Sequence, residues 1–229
     1  MTRLIANMAA PRCTASTIAG TQTELPQLGS WTLLSFLRYA SCPACNLRVR
    51  ELRIDGDELR RAGIEWFVVF HSPVGRLKRH MPDDVWQNVI SDPESQLAGR
   101  FGTTRSWLGV GRSMLLPAFY WAFLKTLGFG YWGGPIDRWF HSMPADILIA
   151  PDGTIRLAHY GRHIVDHVGV ASVLDVVRRG PAVVASRLAG LRRTAVDPHE
   201  DPSVTVTVPL PCTTVLSDPF CWDCTGSSI

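Results

Sequence analysis

Two seven-residue apolar runs, Trp31–Leu37 (WTLLSFL) and Ile64–Phe70 (IEWFVVF), do not alternate with polar positions. Continuity over that length predicts strands buried on both faces of a sheet. Between them Leu47, Val49, Leu52 and Leu59 are interspersed with Arg48, Arg50, Glu51, Arg53 and Arg60. That is the mixture of an amphipathic helix, interrupted at Asp55-Gly56 and ended by Gly63. Further on, ADILIA (Ala145–Ala150), the turn Pro151-Asp152-Gly153 and TIRLAH (Thr154–His159) read as strand, tight turn and strand. Shorter signals predict a helix over Gly75–His80, a strand over Val85–Ile90 and a helix over Ser95–Phe101, with Asp92 as cap and Pro93 at its first position. A last helix, capped by Asp166, buries Val170, Val173, Leu174 and Val177 before Gly180.

Strands joined by helices pair in parallel, and the hairpin adds antiparallel strands. The expected class is α/β, a central mixed sheet with helices on both faces. Residues 1–29 read as an irregular lead-in with one edge strand, residues 30–180 as the domain, and 181–229 as an appendage. An apolar insert over about 104–142 includes SMLLPAFYWAFLKTLGFGYW (Ser113–Trp132). Pro117, Lys125, Gly128 and Gly130 interrupt it, and mid-span charge costs several kcal/mol in a bilayer, roughly 2.5–3.5 on insertion scales. It is therefore expected to cover the core, a dimer face or the reactive site rather than to span. Contact with a membrane surface through its Trp and Tyr side chains is the alternative.

A chain of 229 residues with 46% hydrophobic and 19% charged positions can bury a full core. Its net charge of +3, evenly spread, gives no footprint for nucleic acid. Six cysteines are scattered through a chain too large to need disulfide staples. The start, MTRLIANMAAPRCTAS, lacks the long apolar stretch of a secretory signal, so the cytoplasm is the expected compartment.

The chemistry concentrates at Ser41-Cys42-Pro43-Ala44-Cys45-Asn46, between the first strand and its helix. A helix N-terminus stabilises a thiolate at Cys42 through unpaired N–H groups and the helix dipole, which can lower a thiol from roughly 8.5 to about 7 or below. Pro43 suits the first helical turn, and Cys45 lies one turn on, within reach of a disulfide. A zinc site would need more ligands, and the other C-x-x-C, Cys221-Trp222-Asp223-Cys224, stands far away in the tail. Inert core cysteines are the plainer alternative. A reactive dithiol is the reading favoured by C-x-x-C at a βα junction. Arg38 and His71 end strands on the side of the dithiol and are candidates to stabilise the thiolate, with solvated strand ends as the alternative. Trp107 and Tyr160 are candidates to line the site by position alone.

Five segments in register carry a family resemblance: FLRYASCPACNLRVREL (Phe36–Leu52), FVVFHSP (Phe67–Pro73), ISDPESQLAGRFG (Ile90–Gly102), MPADILIAPDGTI (Met143–Ile155) and AHYGRHIVDH (Ala158–His167). Together they resemble the peroxiredoxin-like, or redoxin, branch of the alkyl hydroperoxide reductase/thiol-specific antioxidant family, which has the thioredoxin fold. The resemblance implies that Cys42 attacks and Cys45 resolves. It implies that Pro144 is a cis-proline facing the dithiol, with Met143 and Pro144 offering a backbone edge to substrate. Pro43 would lie at that surface too. It implies no metal or organic cofactor, a protein or small-molecule disulfide as substrate, and an electron-donor protein or glutathione.

Two departures bear on activity. Peroxiredoxins carry P-x-x-x-T-x-x-C, and here Ser35 and Tyr39 stand at the proline and threonine positions. Thioredoxins keep a buried acid in the strand before the dithiol, and WTLLSFL has none. Thiol–disulfide exchange is thus the expected function. The rivals are a weak peroxidase and a non-catalytic binding module whose tail does the work.

His159, His163 and His167 are evenly spaced, but a helix start at Asp166 would separate them, so capping and loop hydrogen bonds are expected rather than a metal. Residues 181–193 read as a basic amphipathic helix, Asp197–Pro202 as a linker, and the Ser/Thr/Cys-rich end as an extension. In that extension Cys221 and Cys224 could serve as a second, shuttling dithiol.

Overall fold

In the computed structural model the central strand is β3 (Trp31–Leu37), whose Leu33, Leu34, Phe36 and Leu37 are all fully buried. Burying each such side chain contributes roughly 1.5–3 kcal/mol, which is why an uninterrupted apolar run settles in the middle of a sheet. The structure describes residues 3–115, 117–129 and 140–180. The chain divides into a unit of Met1–Ser186 and a second of Arg187–Ile229. The second, with the proposed tail and Cys221 and Cys224, lies outside the described residues, as does the expected helix over 181–193.

Chain order begins with β1 (Cys13–Ser16) and β2 (Gln22–Leu25), an antiparallel hairpin that pairs Cys13 with Leu25. After β3 come α1 (Pro43–Ile54), α2 (Gly56–Arg61), β4 (Ile64–Phe70), α3 (Val74–His80), a 3-10 turn (Asp83–Asn88), β5 (Val89–Ser91) and α4 (Gln96–Arg100). The insert forms α5 (Trp107–Met114) and α6 (Pro117–Gly128). Strands β6 (Ala145–Ile149) and β7 (Ile155–Tyr160) and a helix α7 over residues 170–180 follow.

The five-stranded sheet runs β5-β4-β3-β6-β7. Strands β3, β4 and β5 are mutually parallel, whereas β6 is antiparallel to β3 and β7 to β6. Side chains that alternate along β3 feed two cores. Leu33 and Leu37 join Val49, Leu52, Val173 and Leu174 on the face covered by α1 and α7. Leu34 and Phe36 join Leu97, Ala98 and Phe101 on the face covered by α4. The expected mixed α/β sheet with helices on both faces is what forms.

Four local expectations change. Where one edge strand is expected before residue 30, Cys13–Ser16 and Gln22–Leu25 form a hairpin, with Ile18 and Leu25 buried in the two cores. Within Val85–Ile90 only the end is strand, because Asn88 turns its side-chain N–H onto the Trp66 carbonyl at 2.8 Å and the preceding residues coil as 3-10. The helix expected from Ser95 starts at Gln96, yet Asp92 still caps it from a distance, accepting the Gln96 and Ala98 N–H groups at 2.8 and 2.9 Å. Asp166 caps no helix. It accepts the Arg162 N–H at 2.8 Å and meets His159 Nε2 at 3.0 Å, and α7 begins only at residue 170.

Candidate active site

Strand β3 ends at Leu37, and the next four residues turn the chain into α1, with the Cys42 N–H donating to the Tyr39 carbonyl at 3.0 Å. Cys42 is the N-cap of α1, with extended backbone (φ −70°, ψ 116°), and Pro43 opens the helix. Asn46 clamps this turn. Its side-chain N–H group donates to the Ala40 and Cys42 carbonyls at 2.7 and 2.9 Å. From below, the Ala40 N–H donates to Ser72 Oγ at 2.8 Å. The dithiol therefore sits on backbone whose polar groups are satisfied by named partners.

Both thiols are free and buried, Cys42 at 2% and Cys45 at 1% exposure. Their environments pull them apart. A hydrogen bond from the Cys45 thiol lowers Cys42 against the cost of burial, the Arg38 cation adds to it, and the first N–H groups of α1, on Cys45 and Ala44, favour the thiolate without closing a conventional side-chain cap. Cys42 is pushed down to about 6. Burial and the adjacent Cys42 raise Cys45 well above an ordinary thiol, opposed only partly by the charge and N–H of Arg38. The Arg38 N–H donates to Cys45 Sγ at 3.4 Å.

Arg38 is itself buried, 5% exposed, and its guanidinium is divided between two tasks. Nη1 points at Cys42 Sγ across 3.8 Å, while Nε (2.7 Å) and Nη2 both donate to the Phe140 carbonyl. Phe140 ends the insert and packs against the core that holds the dithiol. Trp107 meets Phe140 edge-on (4.9 Å between centroids) and stacks on His141 (5.2 Å), so the insert roofs this end of the molecule.

The other sequence candidates separate. His71 lies next door, its N–H bonded to the Arg38 carbonyl at 3.1 Å. Its ring Nδ1, however, faces the Asp92 carbonyl at 3.4 Å, and burial pushes its pKa down, so it is a neutral ring and no cation for the thiolate. Tyr160 packs with the core on the opposite face of the sheet, where its hydroxyl donates to the Phe101 carbonyl at 2.8 Å and accepts from the Leu4 N–H at 2.9 Å. His159 and His167 pair with different carboxylates, Asp166 and Asp146.

The cis-proline carried over by resemblance does not form. Among the described residues the cis peptide is Leu25–Pro26, and Met143–Pro144 is trans. The Met143 N–H donates to the Thr104 carbonyl at 2.9 Å, and the Pro144 carbonyl accepts from the Gly161 N–H at 2.8 Å. The expected substrate edge is thus already paired within the chain. Helix α5 also crosses it so closely that a Cβ on Gly109 would stand 2.5 Å from Met143 Sδ.

One buried group escaped the sequence reading. Asp146 stands opposite Ser35 in the β3–β6 register, on the face that α1 covers, and is fully buried. It accepts from Ser35 Oγ at 2.6 Å, Arg48 Nη2 at 3.3 Å, the His167 ring at 3.2 Å and the Val168 N–H at 2.8 Å. Burial acts to raise its pKa, but His167, Arg48 and Ser35 outweigh it and hold the carboxyl well below the usual carboxylate range. Through Arg48, Asp146 ties the dithiol helix to the sheet. An aspartate as the second residue of an otherwise apolar strand was the available signal.

Comparison with solved structures shows the thioredoxin-like fold. A peroxidoxin, BcpB, from Mycobacterium tuberculosis is 15% identical over 77% of this chain and 98% of its own, with a TM-score of 0.53. A thiol peroxidase from Chromobacterium violaceum is 13% identical over 78% and 89%, with a TM-score of 0.53. Peroxiredoxin Q of Xanthomonas campestris is 16% identical over 73% and 90%, with a TM-score of 0.51. Comparison with curated protein sequences returns no match. The AhpC/TSA family profile matches residues 6–158, which take in every strand from β1 to β6, the dithiol and most of β7, and on that match the chain belongs to the AhpC/TSA family.

Proposed function

We propose that the chain is a thiol–disulfide oxidoreductase in which Cys42 is the nucleophile and Cys45 the resolving thiol. The observation that carries this reading is the opposed tuning of two buried thiols one helical turn apart, Cys42 down and Cys45 up, beside the Arg38 cation. The Cys42 thiolate attacks one sulfur of a substrate disulfide, forming a mixed disulfide and expelling one substrate thiolate. Cys42 then no longer carries charge, which removes one of the causes that hold Cys45 protonated, while the Arg38 N–H and cation still favour a Cys45 thiolate. Cys45 loses its proton, attacks Cys42 and releases the second substrate thiol. The protein has given up two electrons as a Cys42–Cys45 disulfide, and a donor protein dithiol or two molecules of glutathione restore it. Because Cys42 is buried, substrate entry requires local movement around it. A reducing compartment such as the cytoplasm suits this cycle.

Reduction of insulin disulfides tests it. Cys42→Ser abolishes turnover, and Cys45→Ser accumulates a mixed disulfide visible by mass spectrometry. Faster alkylation of Cys45 than of Cys42 at neutral pH would reverse the roles.

The second reading is peroxide reduction, favoured by the family match. Against it, the Ser35 hydroxyl is bound to Asp146, and Tyr39 places an aromatic ring beneath Arg38, 5.2 Å from guanidinium carbon to ring centroid, where the family's threonine would offer a hydroxyl.

A further inference from the structure

Helix α5 is amphipathic the wrong way round for a soluble domain. Its inner face is made of the small residues Gly109 and Ser113, both buried, with Ser113 Oγ bonded to the Gly109 carbonyl (2.8 Å) and accepting the Ile164 N–H (3.0 Å). Its outer face carries Trp107 (66% exposed), Leu108 (86%) and Leu115 (83%), the last just past the helix end. Helix α6 continues the surface with Tyr120 (56%), Trp121 (63%) and Leu124 (59%). Scattered exposed apolar residues are ordinary, but large side chains turned outward along two consecutive helices form a surface built to be covered.

Charge selects the cover. From Ser95 to Ile136 the sequence contains no Asp or Glu, while Arg100, Arg105, Arg112 and Lys125 fall within it. Arg112 and Lys125 are exposed on the two helices, and Lys125 Nζ lies 5.7 Å from the Trp121 ring centroid. An anionic layer with an apolar interior complements both features. Trp and Tyr rings favour the headgroup boundary, Leu the acyl boundary, and Arg and Lys the phosphates. None of the described helices is long and apolar enough to cross a membrane. The 12 residues of α6 reach about 18 Å against a hydrocarbon core of about 30 Å.

We propose that the α5–α6 hairpin is a peripheral docking surface for anionic phospholipid membranes, lying in the interface with Leu108, Leu115 and Trp121 inserted and Arg112 and Lys125 on the headgroups. The proposal goes beyond the redox reading and does not depend on it. It also gives the insert a consequence for the site, since the same segment returns through Phe140 to hold Arg38.

Flotation of the full chain with phosphatidylcholine vesicles, with and without phosphatidylserine, tests it. The expected result is binding at least about tenfold tighter to the phosphatidylserine vesicles, since each cation near an anionic surface adds to attraction. That binding weakens as salt rises and is lost in the Leu108→Glu, Leu115→Glu double variant. Both leucines are almost wholly exposed, so circular dichroism and insulin reduction should be unchanged in this variant. Absence of vesicle binding by the unmodified chain overturns the proposal. So does binding that survives the double substitution, which would put the contact in another segment such as the basic residues 181–193. Self-association that the double substitution abolishes, without vesicle uptake, would instead make a second copy the cover.

Discussion

The Arg38 guanidinium bridges two parts of the chain that the sequence keeps a hundred residues apart, with Nη1 at 3.8 Å from Cys42 Sγ and Nε at 2.7 Å from the Phe140 carbonyl oxygen. A cation buried beside a thiol is tolerated because the Phe140 carbonyl accepts from its Nε and Nη2 and the thiol answers by ionising. The insert is thereby part of the electrostatics of the dithiol and more than a covering for it.

Replacing Arg38 by Met should therefore raise the midpoint of Cys42 ionisation by about one pH unit or more, as expected when an opposite charge within 4–6 Å is removed. The thiolate fraction at neutral pH falls, and iodoacetamide trapping of Cys42 slows with it. A pH series of the alkylation rate, beginning from a midpoint near 6 in the unmodified protein, reads this directly. An unmoved midpoint would assign the lowered pKa to Cys45 and the helix N-terminus alone.

The same shift gives the reduced protein a pH-dependent stability. Cys42 ionises at about 6 in the folded chain and at roughly 8.5 in the unfolded one. Between these values the unfolded chain holds a proton that the folded chain has released, so stability rises with pH. The contribution is complete above roughly 8.5 and is lost as pH falls through the folded value. Cys45, raised by burial, works in the opposite sense only above the ordinary thiol range. Urea midpoints of the reduced protein should increase from about pH 6 to about pH 8.5, and Cys42→Ser should flatten the rise.

Asp146 should matter to folding more than any surface charge. It is a fully buried carboxylate with Ser35, Arg48 and His167 around it, and removing one partner of a buried ion pair costs about 3–5 kcal/mol because the remaining charge is stranded. Asp146→Ala is expected to lose stability of that order in denaturant unfolding. Since its folded pKa is depressed, the contribution of Asp146 is intact above the ordinary carboxylate value, near 4, and declines as pH falls further. Acid unfolding of the unmodified protein should start below about pH 4, and Asp146→Asn should remove part of that dependence.

These features differ in how far the sequence exposes them. Strands β3 and β4 are legible because burial on both faces requires an unbroken apolar run, and their ends match the runs residue for residue. The dithiol is legible because strand, C-x-x-C and helix are contiguous. Asp146 is not, since its partners come from three other places: Ser35 by strand register, Arg48 from α1 and His167 from the segment before α7. The anchor of Arg38 is a main-chain carbonyl, which carries no residue-type signal at all. Met143–Pro144 shows the opposite failing. A motif transferred from a family brought a cis geometry with it, whereas here the Met143 N–H is committed to Thr104 and the peptide is trans. The insert pattern was legible as apolar, but its polarity was not. Small residues at 109 and 113 are what let α5 press on Met143 and turn its large side chains outward.

Peroxide is the discriminating oxidant between the two redox readings. A thiolate at Cys42 meets the first requirement of either, so the difference lies in groups that would hold the peroxide oxygens as the O–O bond breaks. The position three residues before Cys42 holds Tyr39, whose ring is stacked beneath Arg38, and the position seven before holds Ser35, whose hydroxyl donates to Asp146 at 2.6 Å. Arg38 remains as a donor, but its Nε and Nη2 are committed to Phe140. Oxidation of the reduced protein by hydrogen peroxide in stopped flow is therefore expected to run near the rate of an ordinary low-pKa thiolate, while insulin reduction proceeds. Tyr39→Thr should increase the peroxide rate, because it restores a hydroxyl beside Cys42. Ser35→Pro should instead damage folding, because it breaks the bond to Asp146 and puts a proline in a central strand. A peroxide rate in the unmodified protein that exceeds its disulfide-exchange rate by orders of magnitude would transfer the assignment to peroxidase.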